Sequence, residues 1–222
     1  MNKEELRAGI TDALSDGDIA RAGMGCVTLA SALMDADATS EAEQALREGI
    51  AYIRIGADTH PTITSDLASV AEMLYRDLAT LLLPSPEAWS LTSELVTMLS
   101  ERHAHPIDLL EALALRAEIE IQAGTIDDAI TATTQATAQA ESICFHDVSF
   151  ELERKMSDRL RRDGRTSEAD EWTLRARARL DEFVPGHTHL WDIRMGSDGS
   201  WEPIPLNERH GGPDYSDLLD DL

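Results

Sequence analysis

Two seven-residue stretches of the sequence decide the fold: AGTIDDA at residues 123–129 and DGRTSEA at residues 163–169. They lie 40 positions apart, and both have glycine in second place and alanine in seventh place. In each copy another alanine follows seven residues later, at Ala136 and Ala176. Small residues let two helices approach closely, and glycine permits a tight turn between them. The repeated pattern therefore predicts helical hairpins that recur about every 40 residues.

Helical periodicity extends over most of the chain. From residue 3 to residue 183, apolar residues recur at steps of three and four, and glycine or proline interrupts the pattern at intervals that would end a helix. Ala88 stands about one repeat before Ala129, and Ala42 stands about one repeat before Ala88. The sequence therefore predicts nine helices, at residues 3–15, 18–35, 40–56, 63–82, 86–103, 107–123, 127–142, 147–163 and 167–183.

This arrangement resembles the tetratricopeptide repeat (TPR). The resemblance is carried by small and apolar residues that follow the family's order, namely Leu113, Ala117, Gly124, Ala129 and Ala136. The repeat spacing of about 40 residues is longer than the family's usual repeat length of about 34 residues. In this respect the chain is similar to the long-helix variety found in bacterial regulators. The resemblance implies an all-α fold, a right-handed stack of four helical hairpins behind a leading helix. A non-repeat helical bundle is the alternative.

The character of the sequence changes after residue 183. Residues 189–195 alternate with a period of two, as in a β-strand, and an Asp198-Gly199 turn signal follows them. This pattern predicts a β-hairpin that caps the last helix pair. A two-residue turn at this point would place Ile193 opposite Ile204. The predicted organisation is a TPR-like helical domain at residues 1–183, a β-hairpin cap at residues 184–206 and a flexible acidic tail at residues 207–222.

The tail ends in an acidic amphipathic motif of the kind that becomes helical on binding a partner. Its residues are Tyr215, Asp217, Leu218, Leu219, Asp220, Asp221 and Leu222. The motif could fold back onto basic residues of the same chain, bind a second subunit or reach outward to a basic partner. The sequence leaves these three alternatives open.

The charge of the chain narrows the classes of partner. The 222 residues include 42 acidic and 19 basic side chains, which gives a formal net charge of −23 at pH 7. Such a charge disfavours nucleic acid and anionic membranes as partners. No apolar run approaches the roughly 20 residues of a membrane span, and no signal peptide is evident. Arginine and alanine are abundant, as in high-GC bacteria. The sequence therefore predicts a cytoplasmic bacterial protein whose cysteines, Cys26 and Cys144, are buried thiols.

No motif of an enzyme or cofactor site is evident. There is no phosphate-binding glycine loop, no cysteine pair at zinc spacing and no HExxH helix. The nearest candidate metal ligands are His187, His189 and His210, because residues two apart on a strand face the same side. The sequence therefore predicts a protein without cofactors that is not an enzyme, with a small metal-dependent hydrolase as the least favoured alternative.

Positive charge is concentrated near the end of the helical region. Residues 154–179 hold nine of the 19 basic side chains but only five acidic ones. In one interpretation these arginines pair along helix faces with Glu151, Asp158 and Glu168. In the other they line a groove. The resemblance to tetratricopeptide repeats then implies a clamp for carboxylates, which the arginine fork binds through two hydrogen bonds.

These observations together predict a non-enzymatic protein–protein interaction module, such as an adaptor, a chaperone-like protein or a regulatory subunit. It would bind a peptide or helix in a TPR-like groove, and self-association as a homodimer is allowed. An acidic neutraliser of a basic toxin or nuclease is the main alternative. The predicted binding residues are Glu111, Ala114, Glu118, Ile121 and Gln122 in the third helix pair, and Arg154, Lys155, Asp158, Arg161 and Arg162 in the fourth.

Overall fold

The computed structural model describes residues 2–59, 62–183, 191–195 and 201–205. Within these residues the chain forms nine helices and two strands. The helices are α1 (Lys3–Ser15), α2 (Ile19–Asp35), α3 (Thr39–Thr59), α4 (Ser65–Leu81), α5 (Pro86–Glu101), α6 (Pro106–Ala123), α7 (Ile126–Ser142), α8 (His146–Arg162) and α9 (Thr166–Phe183), and the strands are β1 (Trp191–Met195) and β2 (Trp201–Pro205). Each predicted helix is present, with both ends within three residues of the prediction.

Five of the helices end in the same way. The residue just beyond the C-cap has a left-handed backbone, and the next N–H donates to a carbonyl oxygen in the last turn, as Arg165 does to Leu160 at 2.9 Å. The five left-handed residues are Gly17, Asp37, His103, Cys144 and Gly164. The predicted turn glycine Gly164 is thereby confirmed. Gly124 is different, because its φ lies outside the left-handed region; an added Cβ there would instead lie 2.9 Å from the backbone oxygen of Glu120.

The chain divides into two compact units, Met1–Ile119 and Glu120–Leu222. In the first unit, α2 packs against both α3 and α4. Gly49 lies where the three helices meet, since a Cβ added to it would lie 2.6 Å from Leu74 Cδ2 and 2.9 Å from Cys26 Cβ. The predicted buried thiol is confirmed for Cys26, and burial raises its pKa to about 11. Cys144 in the second unit is only half-buried.

The second unit is built on α8, which packs against α7 and α9. Its apolar core consists of Ile121, Ala129, Met156, Leu160, Ala169 and Trp172. Both pairs of alanines that reveal the repeat, at positions 129 and 169 and at positions 136 and 176, are completely buried. Small residues at these positions therefore lie at helix contacts, as the repeat predicts.

Strands β1 and β2 pair in antiparallel register. Ile193 lies opposite Pro203, so the predicted pairing of Ile193 with Ile204 is wrong by one position. The reason is the length of the connection: Met195 pairs with Trp201, which leaves five residues between the strands in place of a centred two-residue turn. The predicted docking of this hairpin as a cap on the last helix pair stays a prediction. The acidic tail at residues 207–222 lies outside the described residues.

Candidate partner-binding site

Polar contacts between residues about 40 positions apart align the helices of the first unit. Between α3 and α5, both Arg54 nitrogens bind Glu94, at 2.6 and 2.7 Å, and Arg102 binds Asp58 at 2.8 Å. Arg47 forms a further ion pair with Glu87, and Lys3 on α1 pairs with Glu41 on α3. These pairs place α1, α3 and α5 side by side. We call these three helices the odd layer.

The other helices of this unit form a second layer. Ser65 Oγ on α4 donates to Asp108 Oδ2 on α6 at 3.0 Å, and Arg76 Nη1 lies 3.7 Å from Glu118 Oε2. These contacts also join residues about one repeat apart. Because α2 packs against α4, the three helices α2, α4 and α6 lie together as the even layer. The two layers are what a stack of helical hairpins requires.

Three of the predicted binding residues lie on one side of α6 in the even layer. Glu111, Ala114 and Glu118 are separated by steps of three and four, which places them along one face of a helix. Glu111 is exposed, and the other two are half-buried. On the neighbouring α4, Met73 and Asp77 are exposed at a four-residue step. We call these five residues the α4/α6 face.

Two acidic side chains of this face, Glu111 and Asp77, have raised pKa values although both are exposed. Burial raises the pKa of Glu111, the carboxylates of Glu72 and Asp108 raise it further, and Arg76 offsets part of this effect. Burial likewise raises the pKa of Asp77, again against Arg76. The face therefore presents carboxylates whose negative charge is incompletely compensated.

The remaining two predicted residues of α6 belong to the second unit. Gln122 is exposed. Ile121 is only 5% exposed and packs in the apolar core with Met156 and Trp172 among others. The helical period from Ala114 places Ile121 on the outward side of α6, but the end of this helix is covered by the core of the second unit. Its side chain is therefore not available to a partner, and we omit it from the proposed site.

The five predicted binding residues of α8 share one side of that helix. Arg161, Arg162 and Asp158 are exposed, whereas Arg154 and Lys155 are half-buried. They are also engaged with their neighbours. Arg154 donates to Asp158 at 3.3 Å and to Glu151 at 3.0 Å. Arg161 donates to the hydroxyl of Thr173 at 2.7 Å. The structure thus brings these residues together as a mixed surface of acids and bases.

Arginines elsewhere in the basic region also have partners. Arg165 binds Glu168 at 2.5 and 2.6 Å and lies 3.3 Å from Asp127, 38 positions away. Arg179 pairs with Glu141, also 38 positions away. The guanidinium of Arg175 lies 4.6 Å from the ring centre of Trp172. The interpretation that these arginines pair with acids along helix faces is confirmed for Glu151, Asp158 and Glu168.

One arginine of this region has a role that sequence reasoning missed. Arg159 Nη1 donates to the carbonyl oxygen of Ile121 at 2.5 Å, and Nη2 donates to that of Gly124 at 3.2 Å. Carbonyl groups at a helix end have no partner within the helix. Arg159 therefore caps the end of α6 from α8. The signal available in the sequence is its spacing of 38 from Ile121, which equals the spacing of the ion pairs Arg165–Asp127 and Arg179–Glu141.

A buried acid is the second feature that the sequence does not reveal. Glu153 on α8 is 2% exposed. Its Oε2 lies 3.6 Å from Arg179 Nε. Burial raises the pKa of Glu153, whereas Arg179 lowers it in part. Glu153 shares a four-residue stripe with Ser149 and Ser157, which are also buried, so α8 presents a polar stripe to its neighbours.

The candidate metal ligands His187, His189 and His210 and the tail motif lie outside the described residues. In the part of the chain that the structure describes, there is no group of three or more histidine, cysteine, aspartate or glutamate side chains that could hold a metal ion. No helix of this part is long and apolar enough to cross a membrane.

Comparison with known proteins gives matches among solved structures alone. No protein-family model matches the chain, and no curated protein matches it. Among solved structures, the TPR-like repeats of a Podosopora anserina protein described as a kinesin light chain match with a TM-score of 0.41 and 14% identity, covering 83% of this chain and 99% of that one. A single-substitution variant of the same protein matches with a TM-score of 0.40 and 14% identity, covering 82% and 98%.

The chain is a TPR-like helical-hairpin protein. Helices that follow one another pack as hairpins, as α2 does with α3, α4 with α5 and α8 with α9, and equivalent helices within a unit are joined by contacts between residues 38 to 44 positions apart. The predicted stack of helices is thereby confirmed.

Proposed function

We propose that this chain is a non-enzymatic protein–protein interaction module that acts in the cytoplasm. It binds a peptide or helix of another protein through a surface that each unit carries by itself, on the outward side of α4 and α6 in the first unit and on the outward side of α8 in the second. The binding residues are Glu111, Ala114, Glu118 and Gln122 on α6, and Arg154, Lys155, Asp158, Arg161 and Arg162 on α8.

One observation carries this proposal. The ladder of contacts between α4 and α6 holds two helices side by side, so the residues of the α4/α6 face form one surface across both. A surface of this kind offers charged, polar and apolar side chains to a long partner segment, as helical-repeat proteins do. The ion pairs on the outward side of α8 are exposed, and exposed pairs contribute only about 0–1 kcal/mol. A partner's charges can therefore replace them.

Selection from a random peptide library on the full chain tests the proposal without knowledge of the natural partner. Enriched peptides are measured by fluorescence anisotropy against the wild type and two variants. Ala114→Arg places a large charge in the middle of the α4/α6 face. Thr97→Arg places the same charge at an exposed position of α5, in the odd layer. We expect Ala114→Arg to weaken binding at least tenfold and Thr97→Arg to leave it within twofold. Failure to enrich any peptide, or equal weakening by both variants, contradicts the proposal.

The acidic tail provides a regulatory version of the same function. In this version Asp217, Asp220 and Asp221 occupy the basic residues of α8 until a partner displaces them. Deleting residues 207–222 and adding back a peptide of residues 214–222 tests it. Saturable binding of the peptide to the truncated chain, weakened by added salt, is expected, and no binding rejects the tail as an occupant.

A further inference from the structure

We propose that the α4/α6 face binds a cationic, amphipathic segment of another protein, in which lysine or arginine side chains alternate with apolar ones. This inference rests on the proposed function, because it assigns a class of partner to part of the same site. It commits to a foreign protein segment rather than to a second copy of this chain.

The contrast with the rest of the molecule is the first argument. Elsewhere, acids such as Glu87, Glu94 and Glu141 pair with an arginine about one repeat away. On α4 the single basic residue is Arg76, and both Glu72 and Glu118 lie against it. Among the residues that the structure describes, neither Asp77 nor Glu111 forms an ion pair. Within the described part of the chain, Asp77 and Glu111 therefore lack the ion-pair partner that Glu87, Glu94 and Glu141 have, and Arg76 only partly offsets their charge.

The basic residue of α6 does not supply this charge. Arg116 is two positions from Ala114, which corresponds to a rotation of about 200° around an α-helix. Its side chain therefore leaves the helix on the side away from Ala114. Burial raises the pKa of both Asp77 and Glu111, and the carboxylates of Glu72 and Asp108 raise that of Glu111 further, against Arg76. A cation brought by a partner would relieve both effects, whereas an acidic partner would add to the repulsion.

Exposed methionines on the same layer are the second argument. Met73 on α4 is 38% exposed and Met24 on α2 is 37% exposed. They are two of the five large apolar side chains that are exposed in the described residues. Because Met73 lies four positions before Asp77 on α4, apolar contact area lies one helical turn from an unpaired carboxylate. Methionine is flexible and polarizable, so it adapts to varied apolar side chains. A segment carrying only positive charge would leave this area uncovered, which is why the partner is amphipathic.

Two synthetic peptides of opposite charge test the inference on the full chain. One is a helix-forming lysine–leucine peptide of about 18 residues, long enough for about 27 Å of helix, and the other has glutamate in place of every lysine. Binding is measured by fluorescence anisotropy in about 150 mM salt, where the Debye length is about 8 Å. The lysine–leucine peptide is expected to bind and the glutamate–leucine peptide is not.

A matched pair of double variants separates this face from the general negative charge of the protein. Asp77→Asn/Glu111→Gln removes two carboxylates from the face, and Asp12→Asn/Glu101→Gln removes two exposed carboxylates from the odd layer. The affinity of the lysine–leucine peptide is expected to fall about tenfold in the first variant and less than twofold in the second. All four changes are at exposed positions, and thermal melts confirm that each variant is folded.

Four results overturn the inference. Equal weakening by the two double variants shows general charge attraction without a site. Tighter binding of the glutamate–leucine peptide reverses the assigned partner class. Salt-sensitive self-association of the chain, lost in Asp77→Asn/Glu111→Gln, assigns the face to a second copy. If the random library instead enriches acidic peptides that Ala114→Arg releases, the inference fails while the proposed interaction module stands.

Discussion

Cys144 occupies a backbone position that glycine fills at two equivalent helix ends. Its φ is 61°, whereas Gly17 and Gly164 take the same left-handed region at 75° and 78°. A left-handed conformation costs a residue with a Cβ about 1–2 kcal/mol. Cys144→Gly is therefore expected to raise the free energy of unfolding by about 1 kcal/mol, as measured by urea denaturation. Asp37→Gly is the control, and its free energy of unfolding should rise less, because aspartate tolerates the left-handed region better. A loss of stability in Cys144→Gly contradicts the reasoning.

Arg159 is expected to contribute more to stability than its neighbours in the basic region. Arg159→Met removes three hydrogen bonds from a charged donor, one to Asp163 and two that leave carbonyl groups at the end of α6 without this partner. Such losses cost about 2 kcal/mol. Arg162→Met, at an exposed position of the same helix, should change the free energy of unfolding by about 0.5 kcal/mol or less. Guanidinium denaturation of the two variants measures the difference, and equal effects would argue against the cap.

The burial of Glu153 predicts a pH-dependent effect. The charged groups around it are Arg175 and Arg179 on α9 and Glu141 on α7. Because the fold raises its pKa, the neutral form favours folding. That contribution is complete below the ordinary glutamate pKa of about 4.3 and is lost as pH rises through the folded-state value.

Glu153→Gln keeps a neutral side chain at every pH. The variant is therefore expected to gain stability relative to the wild type as pH rises, with little difference near pH 4. Denaturation curves collected at several pH values between about 4 and 8 measure this trend. A stability difference that does not change with pH rules out Glu153 as the titrating group.

At the scale of the helix, two glycines with different surroundings give a prediction and its control. A Cβ at Gly49 would lie 2.6 Å from Leu74 Cδ2, where α3 meets α4, whereas a Cβ at Gly9 on α1 would meet nothing within 4 Å. Gly49→Ala is expected to destabilise the chain by about 1–3 kcal/mol. Gly9→Ala should stabilise it by about 0.8–1 kcal/mol through helix propensity. Thermal unfolding of both variants shows whether each substitution lowers or raises the stability of the chain. Stabilisation by Gly49→Ala would show that α3 and α4 are not in close contact there.

The helices could be predicted because their signals are local. Apolar residues recur with the helical period, and turn residues such as Gly164 mark the ends. The strand register could not be fixed in the same way, since a change of one residue in the connection shifts every pair. Ile121 was misplaced for a related reason: the period gives the side of α6, but only the fold shows that the second unit covers its end.

The partners of the charged residues were also beyond sequence reasoning. Arg54 and Glu94 stand 40 positions apart, and nothing local links them. The pairing depends on the side-by-side placement of α3 and α5, which a single sequence does not show. The same holds for Arg165 and Asp127 in the second unit. Once the repeat length is known, however, a search for opposite charges about 40 positions apart becomes a usable test of repeat register.

At the scale of the whole molecule, the fold changes the meaning of the net charge of −23. The basic stretch at residues 154–179 is largely occupied by acids and carbonyl groups of its own unit. On the proposed binding surface, Asp77 and Glu111 form no ion pair with any residue that the structure describes, so the charge left there is negative. The sequence left open whether the basic stretch pairs along helix faces or clamps carboxylates of a ligand, and the observed ion pairs favour the first interpretation. The proposed basic partner of the α4/α6 face remains to be tested.

The central claim is that the outward side of the even layer binds protein segments. The most direct measurement is the dissociation constant of a library-selected peptide for the wild type, Ala114→Arg and Thr97→Arg, determined side by side by fluorescence anisotropy. The account predicts at least a tenfold loss of affinity for Ala114→Arg and less than a twofold change for Thr97→Arg. Equal affinities for the two variants, or a larger loss for Thr97→Arg, would contradict it.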